Sequence, residues 1–172
     1  MLIRHSRHED LPAIKAIYAR ARAFMALQGN PHQWGDVWPS DEVAESDVCG
    51  KNSAHGYVCE HDGRVVGVFF YKVGDDPTYA FIENGAWKDD SPYGVVHRIA
   101  TDGTIKGVGS FCLNWAFEQC GHVRIDTHAD NAPMQNLLRK LGFIRCGTIY
   151  VEEDDAPRIA FEKSRRFDCV DR

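Results

Sequence analysis

The residues best suited to chemistry form a short glycine turn, Lys106-Gly107-Val108-Gly109-Ser110. A β-branched stretch at residues 93–100 precedes it, and an apolar stretch free of Pro and Gly follows it up to Gly121, which predicts strand, turn and helix. Glycine lets a ligand approach the backbone closely, and the first amides of a helix lack internal partners and carry the positive end of its dipole. Lys106 adds a charge, so the pattern is typical of a phosphate site.

The turn does not match the best-known phosphate loops. A Walker loop needs a lysine directly after its last glycine, whereas Lys106 precedes Gly107. A dinucleotide fingerprint needs a third glycine three residues beyond Gly109, where the sequence has Cys112. From the turn alone, two interpretations stay open. It is either a tight strand-to-helix connection or, as we hypothesise, a site for the pyrophosphate of coenzyme A.

Predicted elements on both sides of the turn must position these residues. Helical spacing of apolar residues predicts a helix from Glu9 to about Leu27, and Ser6 to Glu9 has the spacing of a capping box. Asp62-Gly63 between β-rich runs predicts a hairpin whose second strand is central. The other predicted elements are strands at 2–5, 123–127, 144–151 and 158–162, helices starting after Ser40 and over 133–141, a polar turn at 152–157, and a strand or extended loop at 79–83.

Length and composition bound the class of protein. A chain of 172 residues predicts one domain over residues 1–172, and 20 basic against 25 acidic residues argue against nucleic acid as a partner. The basic run at 163–166 is interpreted as a solvated tail. Six cysteines without a C-x-x-C pair indicate no metal site. No signal peptide is recognised, and the longest apolar run, residues 65–71, is too short to span a membrane, so we expect a cytoplasmic protein.

Several motifs follow one another at residues 93–150. The glycine turn and its helix lead to the strand at 123–127, then to residues 128–134, and then to Lys140-Leu141-Gly142-Phe143. This set resembles the GNAT superfamily of acetyl-CoA-dependent N-acetyltransferases. The resemblance implies an α+β fold, with a mixed, mostly antiparallel central sheet of about seven strands flanked by about four helices.

The resemblance also implies where acetyl-CoA binds. In that family the pantetheine arm lies beside the fourth strand, so backbone groups near His97 to Ile99 would bond it, and the glycine turn would hold the pyrophosphate. An asparagine that commonly contacts the cofactor corresponds to Asn131. The implied cofactor residues are Ile99, Lys106, Gly107, Val108, Gly109, Ser110 and Asn131.

Two positions depart from the family pattern. The phosphate loop usually begins with Arg or Gln, where this chain has Thr104, so one side-chain phosphate contact is lost. The frequent tyrosine general acid is replaced by Leu138. Because the leaving thiol has a pKa of roughly 8.5, water is able to protonate it, and the missing tyrosine is tolerable.

Three residues are candidates for the base that removes a proton from the amine. His97 lies on the strand where the thioester is expected, Glu83 is a carboxylate in an aromatic, apolar stretch, and His128 follows the fifth strand. Each also has a structural interpretation: a satisfied partly buried histidine, a solvent-facing edge residue and a hydrogen-bonded turn residue. We predict Glu83 and His97 as catalytic, and His128 as substrate-binding.

The identity of the acceptor stays open, as a small-molecule or peptide amine. Trp34 and Trp38 either line its pocket or fix their Gly- and Pro-rich loop to the core, since Trp combines a large apolar area with one polar group. A rival hypothesis is a binding module that has kept the cofactor fold and lost catalysis. Another is an unrelated nucleotide-binding protein, and an exposed sheet edge is compatible with a homodimer.

Overall fold

The computed structural model describes residues 1–151 and 156–167, which form seven strands and four α-helices. Two short 3-10 turns, His8–Asp10 and Pro77–Tyr79, accompany them. The elements are β1 Leu2–His5, α1 Leu11–Leu27, α2 Asp41–Cys49, β2 Gly56–His61, β3 Arg64–Val73, β4 Gly94–Thr101, α3 Val108–Cys120, β5 His122–Thr127, α4 Ala132–Lys140, β6 Ile144–Tyr150 and β7 Pro157–Ser164.

The strands form one sheet in the order β1-β2-β3-β4-β5-β7-β6. The β1–β2, β2–β3, β5–β7 and β6–β7 pairs are antiparallel, whereas β4 and β5 run parallel, pairing Gly94 with Val123 and Val95 with Arg124. The predicted mixed, mostly antiparallel seven-stranded sheet with four helices is therefore confirmed.

The chain divides into two compact units. The first unit comprises Met1–Tyr71 and His97–Trp115, and the second comprises Lys72–Val96 and Ala116–Arg172. Strand β4 and helix α3 each contribute residues to both units. The expectation of one domain over residues 1–172 stays a prediction.

Each unit has its own apolar cluster. In the first unit, the apolar stripe of α1 packs with residues of α2 and the sheet, as its 3.6-residue period predicts. In the second unit, aromatic and small apolar residues pack around Ile149, which is fully buried. The buried members are Leu11, Ile14, Ile17, Tyr18, Ala44, Val48, Val58, Val68 and Ala100 in the first unit, and Tyr79, Tyr93, Val95, Cys146, Ile149 and Ala160 in the second.

The start of α1 differs from the prediction. The capping-box role expected of Glu9 belongs to Asp10, whose Oδ2 accepts from the amide of Arg7 at 2.8 Å. Ser6 is instead buried, and its hydroxyl lies 3.5 Å from the carbonyl oxygen of Asp47. The α-helix therefore begins at Leu11, after the 3-10 turn, rather than at Glu9.

Residues 79–83, expected to form a strand or an extended loop, form no named strand, and Glu83 makes an isolated antiparallel bridge with Thr148, which agrees with the loop alternative. The basic run at 163–166 is not a solvated tail, because Lys163 and Ser164 belong to β7 and Ser164 is buried. The predicted polar turn at 152–157 falls largely outside the described residues. Within the described part of the chain, no helix combines the length and apolar character needed to cross a bilayer.

Candidate active site

The glycine turn of the first unit leads into α3, which begins at Val108. Gly107 has φ +87°, a left-handed conformation that L side chains rarely adopt. Apart from Gly107 and its two chain neighbours, no described residue has a heavy atom within 4 Å of the point where a Cβ would stand. Lys106 and Gly107 are exposed. The first helical amides have no partners within the helix, so the turn presents donors at an open surface.

Helix α3 approaches β3 closely because β3 carries a glycine. A Cβ on Gly67 would stand 2.8 Å from Cγ1 of Val108 and 3.3 Å from Cβ of Cys59. The distance to Val108 is shorter than real Cβ contacts allow. Val108 and Gly67 are both buried. Gly67 interrupts the apolar pattern of its strand. Its missing side chain therefore determines how closely the start of α3, next to the glycine turn, approaches β3.

Trp115 holds the same helix against an aromatic surface. Its ring centroid lies 4.9 Å from that of Tyr57, 5.7 Å from Phe69 and 5.6 Å from Tyr71. Such tilted and edge-on aromatic pairs contribute about 0.5–1.5 kcal/mol each beyond their buried area. Aromatic packing therefore supports Gly67 in orienting α3.

The loop before the glycine turn is ordered by Asp102. Its Oδ1 accepts from the amide of Thr104 at 2.9 Å and from the Thr104 hydroxyl at 2.8 Å. The Asp102 amide donates to the carbonyl of Val66 at 3.0 Å, which ties the loop to β3. Thr104, at the position of the family's Arg or Gln, thus has a structural role in this chain. Sequence reasoning missed Asp102, although Asp-Gly at 102–103 is a turn signal.

Strand β4 contains an irregularity at Arg98, which has φ +52° inside the strand. Its neighbours His97 and Ile99 are half-buried. The rings of His97 and Phe70 lie 6.0 Å apart. The residues predicted to bond the pantetheine arm therefore flank a left-handed turn, which the sequence pattern did not indicate.

Trp34 and Trp38 lie in the first unit, between α1 and α2. Trp34 packs edge-on against Tyr18, with ring centroids 5.7 Å apart, and adds to the apolar cluster. Trp38 donates its amide to the carbonyl of Trp34 at 3.0 Å and is half-buried. Arg22 lies 3.4 Å from the carbonyl oxygen of Trp38. Trp34 thus has the contacts of a loop anchor, and a substrate role for either residue stays a prediction.

Glu83 belongs to the second unit. Its backbone exchanges two hydrogen bonds of 2.8 Å with Thr148, and its Oε2 accepts from the hydroxyl of Tyr150 at 3.0 Å. Two glycines allow this segment to lie on β6, because a Cβ on Gly147 would stand 2.6 Å from the Glu83 carbonyl oxygen and a Cβ on Gly85 would overlap the Cys146 carbonyl. Sequence reasoning missed the contact of Tyr150 with Glu83. The sequence indicates only that Tyr150 lies near the end of a predicted strand.

His128 and Asn131 form the turn between β5 and α4 in the second unit. Nδ1 of His128 accepts from the amide of Asp130 at 3.2 Å, which is the geometry of a turn residue. Asn131 caps α4, since its Oδ1 accepts from the amide of Met134 at 3.2 Å. The substrate role of His128 and the cofactor role of Asn131 both stay predictions.

Leu138, where the family often has tyrosine, is fully buried. It sits on α4 and offers no proton donor. Another tyrosine of the second unit, Tyr79, is also buried, and its hydroxyl donates to Oδ1 of Asp126 at 2.8 Å. Burial and the Asp126 charge raise the pKa of Tyr79 well above its ordinary value, so Tyr79 stays protonated.

Two buried thiols of the first unit lie together. The pKa of Cys112, on α3, is raised by its hydrogen bond to Cys59 and by burial. The pKa of Cys59, on β2, is lowered by the same hydrogen bond, with burial opposing the shift. Both side chains are fully buried, so we assign them to packing under the first turns of α3.

The described residues of the predicted site are thus distributed over both units. The glycine turn, His97, Ile99, Trp34 and Trp38 lie in the first, where β4 leads directly into the turn. Glu83, His128 and Asn131 lie in the second, where Glu83 contacts Tyr150.

Comparison with known proteins identifies a family and relatives. Residues 18–143 match the model of the acetyltransferase (GNAT) family. The L-amino acid N-acetyltransferase AaaT of Escherichia coli K12 is 24% identical over 148 residues, which cover 86% of this chain and 85% of that protein.

Solved structures share the fold. A GNAT family acetyltransferase from Streptococcus agalactiae 2603 superimposes with a TM-score of 0.83 and 27% identity, covering 95% of each chain. A ribosomal-protein-alanine N-acetyltransferase from Brucella melitensis has a TM-score of 0.63 and 22% identity, covering 95% of this chain and 99% of that one, which supports the fold alone. The chain belongs to the acetyltransferase (GNAT) family and is an enzyme of the N-acetyltransferase class.

Proposed function

We propose that this protein transfers the acetyl group of acetyl-CoA directly to the amino group of a small molecule or peptide. The observation that carries the proposal is the open glycine turn at the start of α3. Gly107 is exposed, left-handed and without neighbours within 4 Å of a Cβ position, so a large anionic group has room to approach the amides.

The residues present fit the diphosphate of the cofactor. The exposed Lys106 and the amides of Val108, Gly109 and Ser110 supply a positive charge and hydrogen-bond donors, and the loss of the family's Arg or Gln leaves these donors in place. Backbone groups of His97 to Ile99 would hold the pantetheine arm. When bound, acetyl-CoA supplies a thioester carbonyl as the electrophile.

The proposed reaction includes two proton transfers, one from the amine and one to the leaving thiolate. An alkyl ammonium with a pKa near ~10 must lose a proton before its nitrogen forms the new C–N bond. The thiolate released when the C–S bond breaks would take its proton from water, since the side chain of Leu138 is not a proton donor. A backbone amide of β4 next to Arg98 would donate to the oxyanion that forms between these steps.

Two residues are proposed for the base, one in each unit. Glu83 is a carboxylate whose Oε2 accepts from Tyr150, so its position is fixed by a neighbouring hydroxyl. His97 is a half-buried imidazole on β4. A positioned base contributes roughly 10²–10⁴-fold to turnover.

The name of a relative suggests which acceptors to test first. The E. coli relative is named an L-amino acid N-acetyltransferase, and we propose α-amino groups of free amino acids as the first acceptors to test. A cytoplasmic location, which would supply acetyl-CoA, belongs to the same proposal.

A thiol-release assay tests the proposal. Purified protein is mixed with acetyl-CoA and a panel of L-amino acids, other small amines and peptides, and free thiol is measured with a chromogenic disulfide. We expect release that depends on one class of amine, and a fall of about 10²-fold or more for Glu83→Gln or His97→Ala with coenzyme A binding by calorimetry nearly unchanged. Glu118→Gln, at an exposed carboxylate on α3, is the matched control. Unchanged turnover in a variant removes that residue from the mechanism.

A second candidate is a catalytically impaired module that binds or senses acyl-CoA. Leu138, fully buried at the position of the usual acid, is the observation that favours it. Coenzyme A binding without thiol release across the whole panel would support the module and contradict the transferase.

A further inference from the structure

Arg98 has an unusual backbone conformation for its residue type. Among the described residues, three non-glycine residues have positive φ: Asp62, Asn84 and Arg98. Asp62 lies in the β2–β3 hairpin turn, and Asp and Asn tolerate the left-handed region because their short side chains bond locally. Arg98 has neither advantage, and it lies inside a strand with φ +52°. Something outside its own backbone must hold it there.

The guanidinium of Arg98 is held by two partners, a carboxylate and an aromatic ring. Its Nε donates to Oδ2 of Asp47 at 2.9 Å, and its Nη2 donates to Oδ1 at 3.1 Å, in the two-pronged geometry that suits Arg and a carboxylate. Its Cζ lies 4.7 Å from the ring centroid of Phe70. Asp47 is 6% exposed, so water competes little with this pair.

Asp47 is fixed in turn by its surroundings on α2. Its Oδ1 also accepts from Nδ2 of Asn52 at 3.3 Å. A Cβ on Gly56 would overlap the Asp47 carbonyl oxygen, so the backbone of β2 lies directly against this turn of the helix. The position of the Asp47 carboxylate is therefore fixed, and its ion pair with Arg98 restrains the backbone of β4.

We propose that Asp47 is a positioning residue which, through Arg98, holds the left-handed turn of β4 and so aims the peptide groups of His97 to Ile99 at the thioester. This inference rests on the proposed acetyltransferase function. A left-handed residue turns the peptide groups on either side of it away from the alternation of an extended strand. Without the anchor, residue 98 relaxes toward extended backbone, and those donors and acceptors are redirected.

A glycine substitution separates the conformation of residue 98 from its side chain. Arg98→Ala and Arg98→Gly both remove the ion pair, but glycine adopts positive φ without a Cβ penalty, whereas alanine does not. We expect kcat of Arg98→Gly to exceed that of Arg98→Ala by about 5–30-fold, although glycine is the smaller residue. Adding Asp47→Asn to Arg98→Gly is expected to change kcat less than twofold, because Asp47 acts through the arginine.

The Arg4–Asp10 pair of the same unit is a matched control. Arg4 Nη1 and Nη2 donate to Asp10 at 2.7 and 2.9 Å, and the side-chain exposures of 19% and 6% resemble the 14% and 8% of Arg98 and Asp47. Asp10→Asn therefore breaks a similarly buried pair far in sequence from β4, and Arg4 keeps a second carboxylate partner in Glu60 at 2.8 Å. We expect Asp47→Asn to lower kcat at least fivefold and Asp10→Asn to leave kcat unchanged, both measured well below the melting temperature.

The outcomes separate this inference from the function on which it rests. An active wild type in which Arg98→Gly is no better than Arg98→Ala, or in which Asp10→Asn lowers kcat as much as Asp47→Asn, overturns the positioning role alone. A wild type that releases no thiol with the amine panel overturns the proposed function and this inference together. Crystal structures of the two Arg98 variants add a direct reading: we expect positive φ at residue 98 with glycine and extended backbone with alanine. Positive φ in the alanine variant contradicts the anchor.

Discussion

The two units bury their charges in different ways. In the first unit, charge occurs as small separate clusters, Arg4 with Asp10 and Glu60, and Arg98 with Asp47. In the second, one connected network links Asp89, His122, Arg124, Glu162 and Ser164. The first unit is therefore vulnerable at individual contacts, whereas the second is vulnerable to any change that upsets the balance of its charges.

Glu162 is at the centre of the second unit's network. It is fully buried, and its carboxylate accepts from Nε2 of His122 at 2.9 Å, from Nε of Arg124 at 3.2 Å and from the amide of Lys88 at 2.7 Å. Burial alone would raise the pKa of Glu162, but these donors and the Arg124 charge outweigh it and lower the pKa below its ordinary value. Glu162 is thus held as a buried carboxylate.

The glycine turn of the first unit depends on shape rather than charge. Val108 reaches β3 because Gly67 has no side chain, and the turn itself depends on Gly107 at positive φ. Volume changes should therefore disturb the glycine turn, and changes of charge or pH should disturb the network of the second unit. The following predictions test that contrast.

The largest expected effect is on the second unit, in Arg124→Met. The guanidinium lies 4.3 Å from the Trp87 ring centroid and 4.0 Å from that of Tyr93, and it donates to Glu162 and to the Asp89 carbonyl. Removing it leaves a buried carboxylate with one cation fewer, which we expect to lower the free energy of unfolding by roughly 3–5 kcal/mol. Denaturant unfolding measures the loss.

A second change separates charge from packing in this prediction. Arg124→Met combined with Glu162→Gln removes both charges, and we expect it to be more stable than Arg124→Met alone. A double variant no more stable than the single would mean that lost packing on the two aromatic rings, not charge imbalance, sets the cost.

The next largest effect is expected at Gly67→Ala in the first unit. The new Cβ would stand 2.8 Å from Cγ1 of Val108, so α3 or the side chain must shift, at about 1–3 kcal/mol. Because Val108 opens the helix that follows the glycine turn, we expect KM for acetyl-CoA to rise more than kcat falls. Steady-state kinetics with acetyl-CoA as the varied substrate measure the split.

The compensating variant is Gly67→Ala with Val108→Ala, which restores room for the Cβ. We expect it to recover part of the KM change. A KM that stays as high as in Gly67→Ala alone would show that Gly67 does not act through its contact with α3.

The next prediction concerns the stability of the second unit's charge network at low pH. Burial would raise the pKa of Asp89, but hydrogen bonds from Ser164 and Ser91 and the nearby His122 lower it well below its ordinary value, and the pKa of Glu162 is lowered as well. Carboxylates with a lowered pKa in the folded state stabilise it above their ordinary pKa values, and this contribution is lost as the pH falls toward the folded-state values. We expect the free energy of unfolding to fall with decreasing pH below about 4, near the ordinary carboxylate range.

Glu162→Gln tests the source of that acid sensitivity. The variant lacks one of the two carboxylates, so its stability should depend less steeply on pH in the same range, even if it is lower at neutral pH. Denaturant unfolding at a series of pH values gives the slope. An unchanged slope would place the acid-sensitive groups outside this network.

Much of the fold was predictable because its signals are local. The glycine turn and the Gly142 stop follow from residue types, and α2 was placed correctly by its Ser40 cap and Gly50. The sequence pattern starts α3 three residues late, at Phe111 instead of Val108, because it assigns Val108, Gly109 and Ser110 to the turn although all three are helical. Asp10, not Glu9, bonds the Arg7 amide, since a 3-10 turn changes the residue spacing at that end of α1.

The site was less predictable because its contacts are distant in sequence. Nothing near Arg98 signals that Asp47, 51 residues away, holds its side chain, and nothing near Glu83 signals Tyr150, 67 residues away. The sequence pattern places Ser164 in a solvated basic run, but Ser164 is buried and donates to Asp89, 75 residues away. A one-dimensional pattern predicts which face of an element is buried, but not which partner a polar residue meets there.

The smallest expected effect compares the helix caps of the two units. Asn131 Oδ1 accepts from the Met134 amide at 3.2 Å, and Ser40 Oγ accepts from the Val43 amide at 3.4 Å. Replacing either residue by alanine removes a cap, at about 0.5–2 kcal/mol, and the shorter bond of Asn131 should make its loss the larger of the two. Asn131→Asp keeps the capping oxygen, so its free energy of unfolding should stay close to the wild-type value.

The same aspartate variant sharpens the functional assignment of Asn131. If the side-chain amide also contacts the cofactor, as the family resemblance implies, a carboxylate there adds a negative charge near an anionic ligand. KM for acetyl-CoA should then rise in Asn131→Asp while stability is retained. KM for acetyl-CoA should be unaffected in Ser40→Ala, because Ser40 caps α2. An Asn131→Asp enzyme with wild-type stability and wild-type KM would restrict Asn131 to capping α4, and would leave cofactor recognition to the glycine turn of the first unit.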